Sequence, residues 1–215
     1  MRWGITEGSK QFVTNDALRK ACKTSARHQK LVARFEDLIA KFSTSDSRDI
    51  YISCFCEHKK DDEDGLLSMW RAYGANGGGA ALIVDTARLT PAPDSPLVLH
   101  PITYSSTENR IKWISQKLDE LSKLITHKNP TNEELAAASE IFFERLKLFS
   151  IFTKHIGFEE ENEWRLAYIG DRDNNKTYKP MISYAILSSG IQPKLKLKLD
   201  GVSNDIQANV TDIVT

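Results

Sequence analysis

The chain has 215 residues, is 40% hydrophobic, and balances 29 Lys and Arg against 29 Asp and Glu, giving a formal net charge of zero. Such a length can bury a sizeable core, and neutrality excludes the global positive field of a dedicated nucleic-acid binder while leaving room for a local basic face. No N-terminal apolar stretch is long enough for a signal peptide, and no apolar run nears the roughly 20 residues that span a bilayer, so a soluble, cytoplasmic protein with no membrane partner is expected.

From the N-terminal side, residues 15 to 43 set Leu31, Phe35, Leu38, Ile39 and Phe42 on one helical stripe, which predicts an amphipathic helix. "STSDSRD" (43–49) breaks it, and the β-branched and aromatic "IYISCFC" (50–56) reads as a buried strand. "EHKKDDEDG" (57–65) follows as a solvated loop. "LLSMWRAYG" (66–74) predicts a helical turn, and "AALIVD" (80–85) a strand entered from the glycines of "ANGGG". Beyond the exposed connection "PAPDSP", "LVLHPITY" (97–104) is a further strand. Two long helices come next, lined by Ile111, Ile114, Leu118, Leu121 and Ile125, and by Leu135, Phe142, Leu146 and Phe149. Thr131 with Glu134 gives a capping-box start to the second, so the two should form an antiparallel pair. Strand patterns return in "EWRLAYIG" (163–170), "MISYAIL" (181–187), "KLKLKLD" (194–200) and "NVTDIVT" (209–215). The sum predicts one α+β domain over 1–215, with a mixed, mainly antiparallel sheet whose strands pair across a helical hairpin inserted at about 107–153.

Three segments carry candidate chemistry. In "FEEENEWRL" (158–166), strand alternation sends Glu161, Glu163 and Arg165 to one face and Trp164 and Leu166 to the other. Two carboxylates on one face repel, which suits acid/base or cation-stabilising work; the plainer reading is a solvated acidic loop leading into an amphipathic strand, and taken alone the segment favours it. "SMWRAYGANGGG" brings together Trp70, Arg71 and Tyr73, residue types that stack on planar rings and fork onto phosphates, without the spacing of a P-loop or Rossmann fingerprint; Trp70 by itself reads as a core residue. His155 after an apolar helix reads as a C-terminal cap. Cys54, Cys56 and His58 lack a nearby fourth ligand, so no metal site is expected, and neither Ser53 nor Cys54 has a readable partner for nucleophilic catalysis. An odd count of cysteines, Cys22 included, does not suggest a disulfide framework.

In their order, "YISCFCE", "LLSMWRAYGANGGGAALIVD" and "KHIGFEEENEWRLAY" resemble a bacterial family of largely uncharacterised proteins over roughly residues 48 to 170. Its members look like relatives of abortive-infection proteins of bacterial defence and toxin-antitoxin systems, and the family is similar to ADP-ribosyltransferases. The resemblance implies an ADP-ribosyltransferase-like fold and a toxin that uses NAD as substrate to modify a protein or RNA acceptor, with an antitoxin as a further partner. It assigns Glu163 to the ribose and its developing cation and Glu161 to the acceptor. Stacking on nicotinamide falls to Trp70 or Tyr73, and pyrophosphate contacts fall to Arg71 or Arg165, with Arg2 as the early basic residue. Ser53 lies where such transferases carry Ser-Thr-Ser, and here the run is Ser-Cys-Phe. The rival expectation is a non-catalytic nucleotide- or partner-binding effector module in which Glu161 and Glu163 form structural bridges to Arg71 or Arg165. Lys194, Lys196 and Lys198 offer a local basic face under either.

Overall fold

A computed structural model describes residues 1–57, 64–74, 77–83, 95–188, 190–197 and 206–208. The chain divides into two compact units, each assembled from separate stretches: Met1–Arg48 with Thr103–Ile156 and 211–215, and Asp49–Ile102 with 157–210. The architecture is α+β with antiparallel strand pairing predominant. Among the described residues no helix is long and apolar enough to cross a membrane.

The first unit is mainly helical, and its helices after the first start where polar side chains capture free backbone N–H groups. Helix α1 (Arg2–Thr14) leads into α2 (Asp16–Ala21), capped by Asn15, whose Oδ1 accepts from Leu18 N at 2.8 Å. α3 (Ser25–Thr44) is capped by Thr24. The single helix expected over 15–43 is therefore two, because Lys23 turns left-handed at φ 64° and Thr24 caps a new start. Leu31, Phe35 and Phe42 are buried as their stripe implies, and Phe12 stacks on Phe35 with ring centroids 3.9 Å apart. The α1 helix escaped the sequence reading. It is held by packing, since Gly4 and Gly8 leave room for Ser150 and Leu146.

The two long helices follow further along: α5 (Thr107–Lys128), capped by Ser106, and α6 (Asn132–Phe152). The expected capping box is present, Glu134 N donating to Thr131 Oγ1 at 3.3 Å and Thr131 N to Glu134 Oε2 at 2.6 Å. α6 ends at Phe152 and the chain becomes extended, so His155 lies exposed in a short strand and is not a helix cap.

The second unit is built on a sheet. Before α4 (Leu67–Tyr73) comes β1 (Ile50–Cys56), after it β2 (Leu97–Pro101), and the first unit then contributes β3 (Thr103–Ser105) and β4 (Thr153–His155), which pair parallel. β5 (Glu163–Ile169), β6 (Ile182–Leu187), β7 (Gly190–Leu195) and β8 (Ile206–Ala208) complete the described strands. The four-stranded sheet has the order β1-β5-β2-β8; β1 and β2 flank β5 antiparallel and β8 joins β2 parallel, while β6 and β7 form an antiparallel pair. Strands on either side of the helical pair do pair across it, as the sequence implied.

Several expected strands differ in detail. β1 is the edge of this sheet among the described residues, so Ile52, Ser53 and Cys54 are exposed and the strand is not buried. "LVLHPITY" is divided at Ile102 into β2 and β3, which fall in different units. Residues 80–83 carry no strand, and β7 stops at Leu195, so it takes in Lys194 but not Lys196. The strand at 209–215, Lys198 and the loop residues 58–63 lie outside the described residues.

Candidate functional site

Strand register decides which side chains meet. With Cys56 opposite Glu163, Cys54 opposite Arg165 and His100 opposite Arg165 from the other side, the period-two alternation of three neighbouring strands puts Cys54, Cys56, His100, Glu163 and Arg165 on one face. The opposite face holds Ser53 beside Leu166 and Phe55 beside Trp164. There Leu97, Leu99, Leu166, Tyr168 and Tyr178 form a core against which Tyr51, Phe55 and Trp164 pack. The sequence reading of Glu163 and Arg165 on one face, with Trp164 and Leu166 on the other, is what the structure has.

Glu163 opens β5 and is only 4% exposed. Arg165, two residues on, forks onto it: Nε donates to Oε1 at 2.6 Å and Nη2 to Oε2 at 3.3 Å. Burial pulls the Arg165 pKa down, yet the hydrogen bond and charge of Glu163 outweigh it and the net shift is upward. The Cys54 thiol lies within hydrogen-bonding reach of both; although the residue is exposed at the sheet edge, partial desolvation of the thiol first, then Glu163, push it up to about 11, with Arg165 opposing. At neutral pH this thiol is protonated and a poor nucleophile. The backbone here is fastened on both sides. Ile102 N donates to Glu163 O at 2.8 Å and Glu57 N to Asn162 O at 3.0 Å, and Asn162 Nδ2 donates to Glu57 Oε2 at 2.9 Å.

Glu161 sits differently from its expected place. It closes a 3-10 turn (Ile156–Glu161), and Asn162 at φ 42° interrupts the extended path, so strand alternation does not put Glu161 on Glu163's face. Ser53 is on the other face from Glu163, which removes it from any shared site. Trp70, Arg71 and Tyr73 lie exposed on α4, Trp70 at 39% and Tyr73 at 75%. Trp70 is not the core residue its type suggests; its Nε1 donates to Asp64 O at 2.6 Å. Arg2 opens α1 in the first unit, whereas Glu163 belongs to the second.

Sequence reasoning passed over Cys54 and His100 as neighbours of the acidic strand. The period-two pattern of β1 and β2 carried the signal, but only the register aligned it with Glu163. Among the described residues no group of three or more His, Cys, Asp or Glu side chains could hold a metal ion; His58 lies outside them. What the face offers is a carboxylate fixed in direction by a guanidinium and flanked by a protonated thiol. It suits hydrogen bonding to a hydroxyl or facing a positive charge.

No curated protein and no solved structure matches the chain. A family described as "Protein of unknown function (DUF2971)" matches residues 69–166, a stretch that runs from within α4 to the middle of β5 and takes in Trp70, Arg71, Tyr73, Glu161, Glu163 and Arg165.

Proposed function

We propose that the chain is an ADP-ribosyltransferase-like protein of bacterial defence, related to abortive-infection toxins, that transfers ADP-ribose from NAD to a protein or nucleic-acid acceptor. The observation that carries this reading is Glu163, a carboxylate fixed at the first position of β5 by the Arg165 fork, two residues after Glu161 on the preceding turn. Breaking the bond between nicotinamide and ribose develops positive charge on the sugar, and a pre-oriented carboxylate stabilises it without reorganising. Glu163 is the group for that task. Glu161, on the turn, takes the acceptor's proton. Arg165 acts as a positioning residue for Glu163 rather than as a phosphate ligand, since its fork is already engaged. Trp70, Arg71 and Tyr73 remain the candidates for nicotinamide and pyrophosphate, and Ser53 has no part.

Incubating the full chain with NAD tests this, with nicotinamide release and ADP-ribose labelling as readouts. Turnover is expected in the wild type, is lost in Glu163→Gln, and falls about 100-fold or more in Glu161→Gln, a general-base deletion, with the fold intact. Undiminished labelling in both variants would sink the transferase reading.

A second reading, a non-catalytic binding module, is favoured by one observation: the Glu163–Arg165 pair is itself the structural bridge such a module needs. Breaking a buried ion pair from one side costs about 3–5 kcal/mol, so Glu163→Gln lowers the melting temperature under either reading. Turnover separates them. A wild type that melts higher with NAD present but releases no nicotinamide is the module's signature.

A further inference from the structure

The helical unit carries a second site. Its sequence holds 18 Lys and Arg against 13 Asp and Glu, a net charge of +5, which the acidic sheet unit cancels. In that unit a hollow of ≈ 250 Å³ opens between the first turns of α5, the β3–β4 pair and the C-terminal part of α6. One wall is aromatic, Trp113 stacked on Phe149 with centroids 4.1 Å apart and planes at 7°.

Arg110 is the unusual member of the lining. Its guanidinium lies over the Trp3 ring, 3.9 Å from the centroid, and among the described residues it makes no hydrogen bond or ion pair; Nε is fully covered without a partner. Burial alone pulls its pKa down, with no carboxylate to restore it. Elsewhere in the unit, exposed arginines find acceptors: Arg34 binds Glu140 and Arg19 binds Asp16. A partly buried cation with no counter-charge is costly to keep unless something outside the chain supplies the charge. Trp3 fixes the plane of the fork, and Lys112 on the exposed rim adds a second cation. Hydroxyls of Ser105 and Thr103 line the same hollow.

We propose that this hollow binds a nucleotide phosphate, Arg110 and Lys112 taking the anionic oxygens while the base lies against Trp113, which the buried Phe149 backs. A guanidinium presents a planar fork that matches phosphate, and a stacked aromatic wall suits any base regardless of sequence. The source of the phosphate is either a free mononucleotide or single-stranded nucleic acid. The site is argued without the transferase reading, since Glu163 is not among the residues that line the hollow.

The test uses the full chain, a fluorescein-labelled ten-nucleotide oligothymidylate at low salt, and anisotropy. The wild type is expected to bind, Arg110→Gln to weaken binding at least tenfold and flatten the log–log salt slope by about one, and Lys112→Gln to cost about threefold. Should Arg110→Gln melt abnormally, the exposed Lys112→Gln and the charge-keeping Arg110→Lys carry the same comparison. Displacement by thymidine 5′-monophosphate identifies a free nucleotide as sufficient; displacement by longer oligonucleotides alone identifies nucleic acid. Glu163→Gln is expected to bind as the wild type does, which separates this site from NAD turnover. Three results overturn the proposal: no binding of either probe, wild-type binding by a folded Arg110→Gln, or equal displacement by inorganic phosphate or a polyglutamate peptide.

Discussion

Asp173 shows how a single residue's environment sets its behaviour. It is 8% exposed, yet it accepts from the backbone N–H of Thr177 at 2.8 Å, Tyr178 at 2.9 Å and Lys179 at 3.1 Å and from the Tyr168 hydroxyl at 3.0 Å. Burial pushes its carboxyl up, and those donors overcome it and hold the pKa below the usual carboxylate value. A depressed folded pKa means the stabilisation is present above the unfolded value of about 3.9 and is lost as pH falls below it. Asp173→Asn is therefore expected to cost about 1.5–3 kcal/mol at neutral pH, with the gap to wild type closing as the pH drops below about 4. Melting curves at several pH values check this, and a gap that stays constant to pH 2 would count against it. Cys54 behaves oppositely. With its thiol pushed up to about 11, alkylation by iodoacetamide at pH 8 should be much slower than for a free cysteine and rise only as pH approaches that value; fragmentation of the tryptic peptide in tandem mass spectrometry resolves it from Cys56. The residue types of both positions were plain in the sequence. Their partners were not, because hydrogen bonds from Thr177 N and the approach of Arg165 to Cys54 depend on a turn and a register that no local pattern specifies.

Elements were legible where local chemistry decides them. The capping box at Thr131 and Glu134 and the apolar stripe of α6 both appear as read, since each rests on side chains three or four residues apart. α1 was missed for the opposite reason: two glycines lower its propensity, and its stability comes from what it packs against. A Cβ on Gly8 would fall inside the Leu146 side chain, which is fully buried and has nowhere to move. Gly8→Ala should gain up to about 1 kcal/mol of helix propensity and lose about 1–3 to overpacking, for a net loss of about 1 kcal/mol. Chemical denaturation measures it, and a stabilised variant would show that α1 can shift along α6. The exposed centre of β1 belongs here too: "IYISCFC" has the composition of an interior strand, and only the sheet order puts it at an edge.

At the scale of the whole molecule, the neutral net charge hides a division into a helical unit at +5 and a sheet unit that offsets it. The basic excess therefore belongs to the unit that holds Arg110, not to the acidic unit that holds Lys194 and Lys196. At pH 7, near the sequence pI of about 7.0, the protein is expected to be retained on a heparin column at low salt and to elute earlier as Arg110→Gln. Passage in the flow-through would argue against an accessible basic face. By itself the sequence determined the α+β class, the helical pair between strands, and the faces on which Glu163 and Trp164 lie, because periodicity and capping act over a few residues. Tertiary structure alone decided that Ser53 turns to the face opposite Glu163 and that Arg110 is left without a counter-charge. Each of those depends on which distant segment comes to lie alongside, and the free energy of that pairing comes from burying surface, a quantity no short window of sequence contains.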